Sequence, residues 1–505
     1  MNAQSALNAH RRRVELDLVA AGESIDVLVV GGGITGVGVA LDAAARGLRT
    51  VLVERGDLAH GTSRWSSKLV HGGLRYLASG DVSLAYESAL ERRILMTRTA
   101  PHLVRPTPQL VPLTPDLRGR DRAFLRAGQR AGDVLRKASG TSAHVLPRSR
   151  RIGRSETLRL APSLRRDGLD GALLGWDGQL VDDARLVVTV ARTAAMYGAR
   201  ILTRVCATEV TDTSAVLHDE LTGQTVDVRA RTVVNAAGVW AGDIDPSVRL
   251  RPSRGTHLVF DASTFCGLNS ILTVRVPDEH NRFLMALPAP YGRVYLGLTD
   301  VSAPGPIPDV PEPDESEIDE LLSTIARVLQ EPVTRADVRG VFAGLRPLLD
   351  SGGGDTSDLS RRHVVRSVPG GPITVVGGKL TTYRRMAEDA VDAAVTRGRL
   401  RAGASLTSRL PLVGAGPTPR GLPTGLVARY GSDADVVAEQ PGGLQPIADG
   451  LDVYGGELAY AVSHEGALTV DDVLDRRTRL GLVPAERERA YAAAADAVES
   501  ALTAT

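Results

Sequence analysis

The stretch IDVLVVGGGITGVGVALDAAARGLRTVLVE, Ile25 to Glu54, decides the fold. Its first six residues form an apolar, β-branched run, the pattern of a strand buried on both faces of a parallel sheet. Gly31-x-Gly33-x-x-Gly36 follows directly, and from Val37 to Gly47 alanines recur at helical spacing. Thr50 to Glu54 reads as a second strand. Strand, glycine turn, helix, strand makes one βαβ unit. A glycine triplet alone says little in a chain with 53 glycines, but its place between strand and helix gives it weight. Gly31 makes the tight turn, Gly33 lets backbone approach a pyrophosphate at the helix N-terminus, and Gly36 permits close helix–strand packing. Glu54 ends the second strand, where a carboxylate accepts a hydrogen bond from an adenosine ribose and disfavours a 2′-phosphate. The expectation is FAD or NAD rather than NADP.

The rest of the chain bounds this reading. Its 505 residues exceed one ordinary core and predict two or three domains. Hydrophobic content of 43% and charged content of 24% are those of a soluble globular protein. A net charge of +1 offers no reason to expect nucleic acid. Cys206 and Cys266 give neither a disulfide framework nor metal-ligand spacing, which suits a reducing cytoplasm and predicts no metal. No secretory signal is read at the N-terminus, and glycines break the longest apolar run well short of the ~20 residues of a membrane span. Met1 to Glu23 is polar and helix-prone, and reads as a surface lead-in.

Further along, VSLAYESALERRILMTRTAP predicts a long helix stopped by Pro101. Arg118 to Lys137 carries seven basic and two acidic residues, with Phe124, Leu125, Ala131, Val134 and Leu135 at helical spacing. That is the pattern of a basic amphipathic helix suited to an anionic membrane surface. TVVNAAGVWAG and ITVVGGKL read as buried strands ending in small residues, the second leading into a helix near Thr381. Segments returning in this way to the first βαβ unit favour FAD over NAD. From Arg251 to Val341 the pattern alternates and is proline-rich, which predicts an antiparallel sheet. The expected architecture is α/β: a doubly wound FAD-binding Rossmann-type domain (24–105, 155–250 and 340–395), an antiparallel-sheet cap or substrate domain (106–154 and 251–339) and a helical C-terminal domain (405–505).

One more stretch draws notice. SSKLVHGGLRYL, Ser66 to Leu77, gathers Lys68, His71, Arg75 and Tyr76 around two glycines, in a chain with only three lysines among 60 basic residues. Lys379 in GGKLTTYR is another of the three. A lysine kept against such an arginine bias marks a place that wants a compact ammonium.

The segments DVLVVGGGITGVGVALDAAARG, GTSRWSSKLVHGGLRYL, APHLV, DDARL, VVNAAGVWA, RGTHLVF, GLRPL and VVGGKLTTYR, spread over about residues 25–390, together resemble FAD-dependent glycerol-3-phosphate dehydrogenases. These are flavoproteins of the D-amino acid oxidase structural type. The chain departs from the family's glycine-threonine-threonine-aspartate pattern at LGLTD, Leu296 to Asp300. The resemblance implies oxidation of sn-glycerol 3-phosphate to dihydroxyacetone phosphate, with electrons passing to a membrane quinone. It assigns Arg75, Tyr76, Arg346, Arg361, Lys379 and Thr381 to substrate, Arg346 also to catalysis, with His257 as first and His71 as second candidate for the base. Gly31, Gly33, Gly36, Glu54, Thr62, Ser63, Ser66, Ser67, Lys68, Gly238, Gly378, Lys379, Leu380 and Thr381 are the implied FAD contacts. The matching expectations are a cytoplasmic protein, peripheral on the inner face of the cell membrane, that forms a homodimer. An oxygen-using oxidase, a same-fold amino- or hydroxy-acid oxidase and a non-catalytic flavin-binding protein stand as alternatives.

Overall fold

The computed structural model describes residues 3–73, 76, 80–117, 119–276, 282–350 and 362–503. Among these residues the strands form two sheets. The first contains β1 (Ile25–Val30), β2 (Thr50–Glu54), β7 (Arg200–Thr203), β8 (Val205–Thr208), β9 (Ser214–Asp219), β10 (Thr225–Asn235), β17 (His363–Ser367) and β18 (Ile373–Gly377). The second contains β3 (Leu69–Val70), β4 (Val104–Pro112), β5 (Arg150–Ile152), β6 (Ala172–Leu180), β11 (Ser253–Asp261), β12 (Ile271–Arg275), β13 (Phe283–Ala289), β14 (Arg293–Gly297), β15 (Val301–Ser302) and β16 (Gly340–Arg346).

In the first sheet β18, β10, β1, β2 and β7 run parallel in that order, with β17 antiparallel at one edge and the β8–β9 hairpin extending from β10. Val27, Leu28 and Val29 of β1 are fully buried, as the unbroken apolar run predicts. The helix Ile34–Ala45 that follows packs against both Asp183–Met196 and Tyr383–Gly398. Such crowding needs small residues. A Cβ on Gly38 would already lie 3.0 Å from the Tyr383 ring and 3.2 Å from Ala387 Cβ.

The second sheet is antiparallel except where β12 runs parallel to β4. Its core of Leu110, Phe260, Leu272, Leu284 and Leu296 is closed by Ile318, Leu321 and Ile325 of the helix Glu315–Ala326. Strand pairing crosses the expected domain division at four segments. Leu69–Val70, Val104, Ala172–Leu180 and Gly340–Arg346, all expected in the dinucleotide domain, pair within the second sheet. The cause is non-local: β6 alternates no differently from a strand of the first sheet, but its hydrogen-bonding partner is β4. The N-terminal lead-in is also more than surface. Its helix, Ala9–Ala20, buries Leu16 and Val19, and Arg12 donates to Thr203 O at 2.6 Å and pairs with Asp219. The C-terminal region is helical, with Val453, Leu458, Val473, Leu474, Leu480, Ala490 and Ala494 as its own core.

Candidate active site

One large cavity, about 2920 Å³, is lined by both sheets and by the loops between them. That exceeds the ~300–1000 Å³ of an ordinary ligand pocket. One end is built for a dinucleotide. Gly31 adopts φ +115°, and a Cβ there would sit 2.6 Å from Ala236 O. A Cβ on Gly36 would lie 1.8 Å from Gly31 O, so only glycine lets the helix start this close to its strand. Gly33 caps that helix and lines the cavity, leaving its N-terminal amides to face an anion. Glu54 accepts from Gly32 N at 2.6 Å and Gly56 N at 2.8 Å, and enclosure pushes its carboxyl above the ordinary value. Each oxygen keeps a second lone pair for a ribose hydroxyl. Gly36 itself does not line the cavity; its part is packing.

The loop after β2 carries the next wall. Thr62 Oγ1 donates to Leu345 O at 2.7 Å, and Ser63 Oγ accepts from Ile34 N at 2.9 Å. Ser66 and Ser67 line the cavity, as do Gly238, Gly378, Leu380 and Thr381. Lys68, expected among the cofactor contacts, stands behind this wall. Its backbone takes φ +55°, which turns the side chain inward, where it is 2% exposed. There Nζ donates to Asp183 Oδ2 (3.0 Å), Arg64 O (3.1 Å) and Ser66 O (3.0 Å). Lys68 thus holds the flavin-side loop from behind.

At the far end lie the groups expected for substrate. Lys379 Nζ donates to Ser88 Oγ at 2.6 Å and sits 3.8 Å from the centre of the Tyr76 ring. Arg346 is anchored by Ser253 Oγ (2.9 Å), Asp300 Oδ1 (3.2 Å) and Thr299 O (3.1 Å). Lys379, Tyr76, Arg346 and Thr381 all line the same cavity. Arg75 and Arg361 lie outside the described residues.

Both candidate bases reach the wall. His257, 2% exposed on β11, stacks 4.7 Å from Phe342, with Nε2 2.9 Å from Ser67 Oγ. Its Nδ1 and the Trp65 Nε1 are buried polar atoms with no hydrogen-bond partner among the described residues. Burial first, then the charges of Lys68 and Arg346, hold the His257 ring well below the usual histidine value, so it is neutral at pH 7. His71 Nδ1 accepts from Gly73 N at 3.2 Å, which ties one face of that ring to its own loop. Among the described residues no group of His, Cys, Asp and Glu is arranged to hold a metal.

Several positioning residues escaped the sequence reading. Asp183 accepts from Ser66 N (2.9 Å), Ser66 Oγ (2.7 Å) and Lys68 Nζ. Asp177 accepts from Gly72 N at 3.1 Å and from Arg92 at 2.6 Å, fixing the two glycines beside His71. The DDARL motif held the signal for Asp183, but nothing local says which loop it holds.

The residues present fit FAD: a cradle that a Cβ would fill, a carboxylate at the ribose position, and a cation at the start of the turn Leu380–Thr382. Comparison with known proteins agrees. The FAD dependent oxidoreductase profile matches residues 26–383, and the C-terminal domain of alpha-glycerophosphate oxidase matches residues 405–504. Glycerol-3-phosphate dehydrogenase 1 of Mycobacterium tuberculosis is 59% identical over 98% of each chain. Glycerol-3-phosphate dehydrogenase 2 of the same organism is 39% identical over 91% of this chain and 82% of its own. Among solved structures, a Bacillus halodurans glycerol-3-phosphate dehydrogenase complexed with FAD aligns with TM-score 0.70 at 25% identity, covering 98% of each chain.

Proposed function

The chain belongs to the FAD-dependent oxidoreductases of the glycerol-3-phosphate dehydrogenase family, and on that premise we propose that it oxidises sn-glycerol 3-phosphate to dihydroxyacetone phosphate. The observation that carries the reading is the convergence of Lys379, Arg346 and a neutral His257 on the cavity that also holds Gly33 and Glu54. FAD, when bound, supplies a two-electron hydride acceptor.

The protein's own groups do the rest. Lys379 and Arg346 bind the phosphate dianion, with Tyr76 fixing the ammonium from below. Ser67 Oγ takes the proton of the substrate's secondary hydroxyl and passes its own to His257 Nε2. A dianion beside Arg346 cancels part of the positive field that depresses the His257 ring. The bound substrate therefore raises the basicity of the group that receives its proton. Lys379 and Arg346 in the proposed pocket, to which the family resemblance adds Arg75 and Arg361, suit a phosphate dianion better than a single carboxylate.

The electron acceptor in this reading is a quinone. The cavity continues beneath the helix Gly119–Ala138, where Val111, Leu173, Trp176, Ile271 and Met285 give it an apolar wall. That helix exposes Val134 (68%) among Arg120, Arg126, Arg130 and Lys137, while Phe124, 54% exposed, sits where the helix meets the cavity. Such a face fits the surface of an anionic bilayer. Among the described residues no helix is long and apolar enough to cross a membrane, so the proposed contact is peripheral, on the cytoplasmic side.

The test is anaerobic. Adding sn-glycerol 3-phosphate to the purified yellow protein should bleach the visible flavin band, and a quinone analogue should restore it. Protein that stays yellow with sn-glycerol 3-phosphate but bleaches with an amino or hydroxy acid would overturn the substrate assignment. Hydrogen peroxide produced as fast in air as electrons pass to quinone would overturn the acceptor.

A further inference from the structure

The C-terminal domain sends three arginines, from the run Asp475–Arg479, into the rest of the molecule, and all three are buried. Arg477 makes a two-pronged pair with Asp57, Nη1 at 2.7 Å and Nη2 at 2.8 Å, and Arg476 adds a third bond to Asp57 at 2.6 Å. Burial pushes the Asp57 carboxyl up, but these two guanidinia overcome it and hold the group at about 2. Asp57 lies just past Glu54, and Ala59 N in the same turn donates to Gly32 O at 3.1 Å. The first pair of arginines therefore fixes the loop at the ribose end of the dinucleotide site.

Arg479 reaches the other end. Its Nε donates to Asp182 Oδ2 at 3.0 Å and its Nη2 to Arg64 O at 2.6 Å, with Asp183 Oδ1 at 3.8 Å. Arg64 O also accepts from Lys68 Nζ, and Lys68 and Ser66 share Asp183. Ser67, between them, holds His257 Nε2. A chain of charges and hydrogen bonds thus runs from Arg479 to Ser66, and the peptide bond from Ser66 to Ser67 joins it to the candidate base.

Three guanidinia buried between domains are a poor device for stability alone, because apolar residues of the same volume commonly serve as well or better. What they supply is fixed geometry at two separate loops. We propose that the segment Asp475–Arg479 is a clamp by which the C-terminal domain preorganises both ends of the FAD site, Arg476 and Arg477 at the ribose loop and Arg479 at the flavin loop. These are positioning residues. The proposal rests on the reading that FAD occupies the cavity.

The test uses holoenzyme and reads release of FAD by the recovery of flavin fluorescence, together with the midpoint potential of the bound flavin. Arg477→Gln and Arg479→Gln should each speed release about tenfold or more, the range expected when a charge-assisted hydrogen bond is lost. Only Arg479→Gln should also shift the potential and the visible spectrum, because only it acts on the flavin loop. Arg477→Lys and Arg479→Lys should recover part of each loss. The control is Asp433→Asn, which weakens a buried pair with Arg192 at the same interface, away from Arg476, Arg477 and Arg479. It should lower the melting temperature while leaving release unchanged. Release rates that simply follow melting temperature across all the variants would reduce the clamp to a structural contact. If Arg479→Gln does not accumulate as folded protein, Asp182→Asn removes the charged partner of Arg479 Nε and must shift the potential, or the proposal fails. A wild-type protein that holds no flavin would overturn the cofactor reading, and the clamp with it.

Discussion

Lys379→Met is the most direct perturbation of the proposed substrate pocket. Methionine keeps an unbranched stem of similar length and removes only the ammonium, so the packing beside Tyr76 changes little. In the native protein that ammonium donates to Ser88 Oγ at 2.6 Å and lies over Tyr76, which places its charge on the wall of the proposed phosphate pocket. A hydrogen bond from a charged donor is worth about 1.5–3 kcal/mol, so kcat/KM for sn-glycerol 3-phosphate should fall roughly 10- to 150-fold. The assay is anaerobic stopped-flow reduction of the flavin across a range of substrate concentrations, which separates binding from hydride transfer. Loss in KM alone would mark a uniform phosphate contact; loss in the limiting rate as well would show the charge acting on the reacting end. Lys379→Arg should recover only part of the activity, because the planar guanidinium cannot occupy the position of a compact ammonium above Tyr76. A Lys379→Met enzyme within twofold of wild type would refute the pocket.

Gly36→Ala should yield protein without flavin or no folded protein at all, since its Cβ would lie 1.8 Å from Gly31 O; a stable yellow variant would contradict the packing argument. Burial, with a contribution from Arg185, lowers the His102 pKa from 6.5 to about 4, so the unfolded chain takes up a proton there that the folded chain refuses. The stabilising effect of its neutral burial is therefore complete above pH 6.5 and is lost as pH falls toward 4. His102→Gln should flatten that part of the stability–pH curve measured by chemical denaturation, and an unchanged slope would count against it. Val134→Asp should weaken sedimentation with anionic vesicles while leaving activity with a water-soluble acceptor intact; equal binding by variant and wild type would remove this helix from the membrane contact.

The sequence by itself determined the dinucleotide end of the site. Gly31, Gly33, Gly36 and Glu54 belong to one continuous strand–turn–helix–strand, where backbone sterics and hydrophobic period act over a few residues and leave a pattern that can be read directly. The rare lysines likewise pointed to two loops, and Lys379 does line the cavity. Lys68 shows where that reading stops. Its motif was legible, but the direction of its side chain follows from a left-handed backbone turn and from Asp183, 115 residues away in sequence. The sheet partners of β6 and β16 were likewise not legible locally, because a strand's own alternation does not name its neighbour. Only the tertiary structure could bring Arg477 to Asp57 across 420 residues and Arg479 to Asp182 across 297. A buried ion pair leaves no period in either segment. Its partners are chosen by how separate layers pack, since a charge leaves water at bearable cost only where another part of the chain already waits with the opposite one.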